Sequence, residues 1–101
     1  MEITPRQLFG KTIKDVSYSM KRTGGLDYLV IDGYYKEQDL DKINWIKIQL
    51  IISVTETGGG AYDIIYAGKS HGFIMAGFFI DALMEQYTGK TVPLGSIFDN
   101  Q

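Results

Sequence analysis

Apolar and polar residues alternate almost without exception through residues 43–56. Ile46, Ile48, Leu50, Ile52 and Val54 fall on one side, and Trp45, Lys47, Gln49, Ile51 and Ser53 on the other. A period of two predicts a β-strand, whose successive side chains point to opposite faces. The same alternation marks residues 11–22, where Val16, Tyr18 and Met20 share one side and Asp15, Ser17, Ser19 and Lys21 the other. Residues 26–35 place Tyr28 and Val30 on one face and Leu29 and Ile31 on the other, as expected of a strand central in the sheet or covered from both sides. In residues 61–67, Tyr62, Ile64 and Tyr66 are expected on one face, with Asp63 and Ile65 opposite. Thr23-Gly24-Gly25 and Thr57-Gly58-Gly59-Gly60 read as hairpin turns at one common end of a meander. The polar run at 36–42, KEQDLDK, reads as a solvated break between the second and third strands.

The pattern changes at residues 70–87, SHGFIMAGFFIDALMEQY. This stretch predicts the one long helix, with Ser70 as its N-cap and Gly89 in a left-handed C-terminal cap. Between Phe73 and Met84 the only charge is Asp81. Phe73, Gly77, Ile80, Met84 and Tyr87 line one side and Ile74, Phe78 and Ala82 another, so the helix is apolar nearly all round. An ordinary surface helix buries one stripe; this one has two faces to hide. The run is too short for a bilayer, which needs about 20 apolar residues.

Thr4-Pro5 predicts a capped helical turn ending at Gly10, pinned to the core by Leu8 and Phe9. The segment 90–101, with Pro93, Gly95 and the apolar anchors Val92, Leu94, Ile97 and Phe98, is expected to run back over the sheet or the helix. These elements predict an α+β fold. It is a four-stranded antiparallel meander sheet with one long C-terminal helix packed on one face (ββββα) and a short N-terminal helical turn, with residues 1–101 forming a single domain.

Composition narrows the function classes. An apolar fraction of 45% against 22% charged residues is that of a globular chain, not a disordered one. The net charge of −2 gives no global attraction for nucleic acid, so that partner is disfavoured. The absence of cysteine removes disulfides, thiolate metal sites and a cysteine nucleophile. No basic segment leads into an apolar one near Met1, and a cytoplasmic location is the expectation.

Candidate chemistry is sparse. Ala67-Gly68-Lys69-Ser70 imitates the end of a phosphate-binding loop, but the first glycine of G-x-x-x-x-G-K-[ST] would fall on Asp63. Glu37, Asp39 and Asp41 alternate like the start of a calcium loop, without its glycine at position six or its glutamate at twelve. His71 is the only histidine, and Ser70 beside it in sequence is badly placed to be a nucleophile for it. No catalytic set, metal site or cofactor is therefore assigned. Lys69, Ser70 and His71 remain a weak candidate for a small ligand or anion at the helix N-terminus. Asp81 reads as a rim residue.

The tyrosines and the tryptophan concentrate on the strands, so part of them must lie on the sheet face away from the helix. Tyr28, Trp45 and Tyr62 on the sheet, with Ile74 and Phe78 on the helix, form the candidate interaction surface. The leading expectation is a non-enzymatic protein-interaction module of the inhibitor, immunity or adaptor type, binding a protein partner or a second copy of itself as a homodimer. The alternatives are a ligand-binding or catalytic pocket near Lys69–His71, and stacking of single-stranded nucleic acid on the aromatic face beside Lys14, Lys21, Arg22 and Lys47.

Overall fold

The structure, a computed structural model, describes residues 4–39, 41–56 and 58–89. It is an α+β fold. Helix α1 (Pro5–Thr12) leads into strands β1 (Ile13–Thr23), β2 (Leu26–Asp39), β3 (Lys42–Thr55) and β4 (Gly58–Tyr66), a two-residue strand β5 (Lys69–Ser70) and helix α2 (Gly72–Tyr87). The strands form one antiparallel meander in the order β1-β2-β3-β4-β5.

The turns follow from glycine placement. Gly24 and Gly25 both have positive φ (61° and 80°), the pair of left-handed residues that a tight two-residue hairpin requires. Thr55 pairs with Gly58 and Ile51 with Asp63, so β4 begins among the glycines, earlier than the alternation of side chains predicts. The polar run at 36–42 is not a break. Lys36 pairs with Trp45, Glu37 with Asn44 and Asp39 with Lys42, carrying the β2–β3 hairpin almost to its tip. Charged residues have low strand propensity, but backbone pairing with a strongly alternating partner overrides it.

The N-terminal turn is longer than predicted. Thr4 and Gln7 form a reciprocal capping box, the Gln7 N–H donating to Thr4 Oγ1 (3.2 Å) and the Thr4 N–H to Gln7 Oε1 (3.0 Å). The helix passes through Gly10, because burial of Leu8 and Phe9 and a bond from Thr12 Oγ1 to the Leu8 carbonyl (2.7 Å) hold the second turn.

One sheet face carries the core. Ile31 and Tyr35 from β2, Ile48 and Leu50 from β3, and Ile64 and Tyr66 from β4 are buried there beneath α2. The helix buries Met75, Ala76, Phe79, Ala82 and Leu83, a stripe at i, i+1, i+4, i+7 and i+8. The Phe79 ring meets Tyr35 at 5.3 Å between centroids. Neither row expected from the sequence is this stripe, because a helix apolar all round leaves its own rotation undetermined.

Two irregularities redirect side chains. In β1 the register slips between Lys14 and Ser17, with Asp15 at φ 54°. The bulge presses on β2 at Gly33, where an added Cβ would lie 2.3 Å from Ile13 Cγ2 and 2.8 Å from the Lys14 carbonyl oxygen. In β4 the register slips so that Ala61 faces Ile52 while Asp63 faces Ile51, leaving Tyr62 as the extra residue. Tyr62 therefore does not continue the Ile64–Tyr66 row; its ring lies 4.8 Å from that of Tyr28. Residues 90–101, to which the predicted return over the sheet or helix belongs, lie outside the described residues.

Candidate functional site

Lys69 and Ser70 do not start the helix. Ala67 and Gly68, both at positive φ (53° and 85°), make a tight turn after β4, and Lys69–Ser70 pair back onto Tyr66 and Ile65. His71 is the N-cap residue and gives no side-chain cap. The capping acceptor comes from β4 instead. Asp63 Oδ1 accepts the N–H of Gly72, the first helical residue, at 2.8 Å, and Oδ2 accepts the Ser70 hydroxyl at 2.6 Å. A carboxylate at a helix N-terminus also opposes the positive end of the dipole. The place where an anion would bind is thus occupied by the chain's own Asp63. The expected Ser70 cap failed because the residue that caps lies on a neighbouring strand, beyond the reach of a local pattern.

His71 lies edge-on to Tyr66, 6.5 Å between ring centroids. Its pKa is lowered by loss of solvent and by the neighbouring Lys69 charge, against an opposing pull from Asp63. A cavity of about 270 Å3 beside the hairpin is lined by Asp32, Lys47, Ile48, Gln49, Ile65 and Gly68, not by the Lys69–His71 trio.

The five predicted interaction residues separate onto two opposed surfaces. On α2, Phe73, Ile74 and Phe78 are 65%, 62% and 57% exposed, with Gly77 between them. Asp81 and Glu85 continue the outward side, so its first two turns are apolar and its later ones carry two acids beside the exposed Met84. Asp81 is exposed.

The second surface is the sheet face away from α2. At the hairpin end, Tyr28 and Tyr62 are in ring contact. At the other end, the register places Lys14, Tyr34 and Lys47 in one cross-strand row and Lys36 beside Trp45 in the next. Lys14 Nζ sits 4.8 Å from the centre of the Trp45 ring. One row further in, Gln49 Nε2 donates to Asp32 Oδ1 at 2.9 Å at the mouth of the cavity. Lys14 and Lys47 stand beside the aromatic face as the sequence suggests, whereas Lys36 joins them because β2–β3 pairing runs on through the polar stretch that the sequence reads as a break.

Among the described residues no group of three or more His, Cys, Asp or Glu side chains is placed to hold a metal ion, and no helix is long and apolar enough to cross a membrane. Comparison of the chain with models of known protein families, with curated proteins and with solved structures finds no match.

Proposed function

We propose that this chain is a small non-enzymatic protein-interaction module that pairs with a second copy of itself through the outward face of α2. The observation that carries the reading is the exposure of Phe73, Ile74 and Phe78 on one side of a helix whose opposite side is already satisfied by the core. Burying large apolar side chains of this kind contributes about 1.5–3 kcal/mol each. Contiguous apolar patches on monomers are ordinarily limited to a few hundred Å2, and larger ones mark association sites.

Gly77 supports the reading: it carries no side chain between Phe73, Ile74 and Phe78, and a Cβ there would meet nothing within 4 Å, which leaves open space for a side chain of a second copy. Two such helices crossing about a two-fold axis seat Phe78 of each against the open space at Gly77 of the other. The acidic Asp81 and Glu85 then fall at the rim, where charge is tolerated. Sedimentation equilibrium tests this. The expected result is a dimer that becomes a monomer in Phe78→Glu and Ile74→Glu with thermal stability retained. A wild-type chain that stays monomeric at high micromolar concentration would refute it.

A further inference from the structure

We propose that the open face of the sheet, around Trp45, is a binding platform for single-stranded nucleic acid. The argument is independent of the helix-mediated pairing, since α2 packs on the other face of the sheet. It rests on how charge is distributed over a chain whose net charge is −2. Lys14, Lys36 and Lys47 converge within two adjacent rows around Trp45 and Tyr34. The neighbouring acids are already engaged: Asp32 accepts from Gln49, and Asp63 holds the start of α2 and the Ser70 hydroxyl. Glu37 accepts from the Tyr66 hydroxyl (3.0 Å) on the core side. Asp81 and Glu85 lie on the outside of α2. Hydrogen bonds from neutral donors leave these carboxylates charged, so Asp32 and Asp63 border the cluster on its own face, while the two rows around Trp45 hold Lys14, Lys36 and Lys47 and no carboxylate.

The interleaving of lysine with aromatic rings selects the ligand. Lysine is depleted in protein–protein interfaces, whereas sequence-tolerant single-strand binding combines basic side chains with flat rings on which bases stack. Along β3 the order on this face is Trp45, Lys47, Gln49, spaced by about 7 Å per pair of residues. That order presents a stacking ring, a phosphate partner and an amide able to address a base edge, in the repeat of an extended strand. The 270 Å3 cavity next to Gln49 and Asp32 has room for one splayed base. Lys14, which now covers the Trp45 ring, can move to a phosphate as a base takes its place on the ring.

The test is fluorescence anisotropy of a labelled oligodeoxythymidylate titrated with the full-length protein, alongside emission from Trp45, the only tryptophan. Saturable binding with quenching of that emission is expected. Three phosphate contacts predict a slope of log affinity against log salt of about −2, an affinity loss of about 20-fold between 50 and 200 mM salt. Trp45→Ala should weaken binding roughly 5- to 150-fold, while Trp45→Phe keeps most of it. Lys47→Glu should weaken binding and flatten the salt slope. Trp45 is exposed, so both variants should keep the wild-type circular dichroism. Absence of saturable binding overturns the proposal. So does binding unaffected by both Trp45→Ala and Lys47→Glu, or equal competition by polyglutamate, which would make the face a site for acidic protein segments.

Discussion

Asp63 Oδ1 accepts the backbone N–H of Gly72 at 2.8 Å, and the same oxygen accepts the N–H of Ile64 at 2.8 Å. One carboxylate on the sheet thereby fixes where α2 begins. Replacement of such an acceptor by alanine costs about 0.5–2 kcal/mol. Asp63→Ala is expected to lower stability toward the upper end of that range, because the Ser70 hydroxyl also loses its acceptor. Asp63→Asn, which keeps an oxygen for the two amides, should cost less. Urea denaturation reads both, with an unchanged m-value expected.

The far end of α2 is held from outside as well. Lys11 Nζ donates to the Tyr87 carbonyl at 2.9 Å and lies 4.5 Å from the Tyr87 ring centre. A cation at a helix C-terminus satisfies a free carbonyl and opposes the negative end of the dipole, worth about 0.3–1 kcal/mol at low salt. Lys11→Met should lose roughly this much, and the difference from wild type should shrink as salt is raised. Denaturation at two ionic strengths measures it.

Neighbouring phenylalanines give the sharpest contrast. Phe79 is fully buried against Tyr35, while Phe78 points outward. Phe79→Ala is expected to destabilise by about 3–5 kcal/mol, enough to unfold much of the population of a marginal domain. Phe78→Ala should stay within about 0.5 kcal/mol for the monomer. Thermal unfolding at low protein concentration separates the two. Equal losses would mean that the helix is rotated from the orientation described.

Stability should fall at both extremes of pH through two named groups. Burial, reinforced by the Glu37 charge, pushes the Tyr35 hydroxyl from 10.0 up to about 12. The folded state then holds a proton that the unfolded state releases. This contribution is complete below pH 10 and is lost as pH rises from 10 to about 12. On the acid side the His71 pKa is lowered, so the folded state resists protonation. Its contribution is present above 6.5, the unfolded value, and is lost as pH falls through the lowered one. Denaturation midpoints across pH should show the alkaline loss diminished in Tyr35→Phe and the acid loss diminished in His71→Gln.

The chain itself determined the α+β architecture. The alternation of Ile46, Ile48, Leu50, Ile52 and Val54 makes a strand, and Gly24-Gly25 turns β1 back into β2, since both properties are local to the backbone. Exposure of Ile74, Phe78, Trp45 and Tyr62 was also legible, because a small domain cannot bury so many apolar groups behind one helix. Tertiary structure alone decided the rest. The rotation of α2 was set by which residues met Tyr35, and its first residue by a carboxylate on β4. The bulges at Asp15 and Tyr62 changed the faces that flanking residues occupy, and a one-residue slip reverses every assignment beyond it. The placing of Lys36 with Lys14 and Lys47 around Trp45 belongs to this second class. It depends on register across three strands, a property that no stretch of the sequence contains by itself.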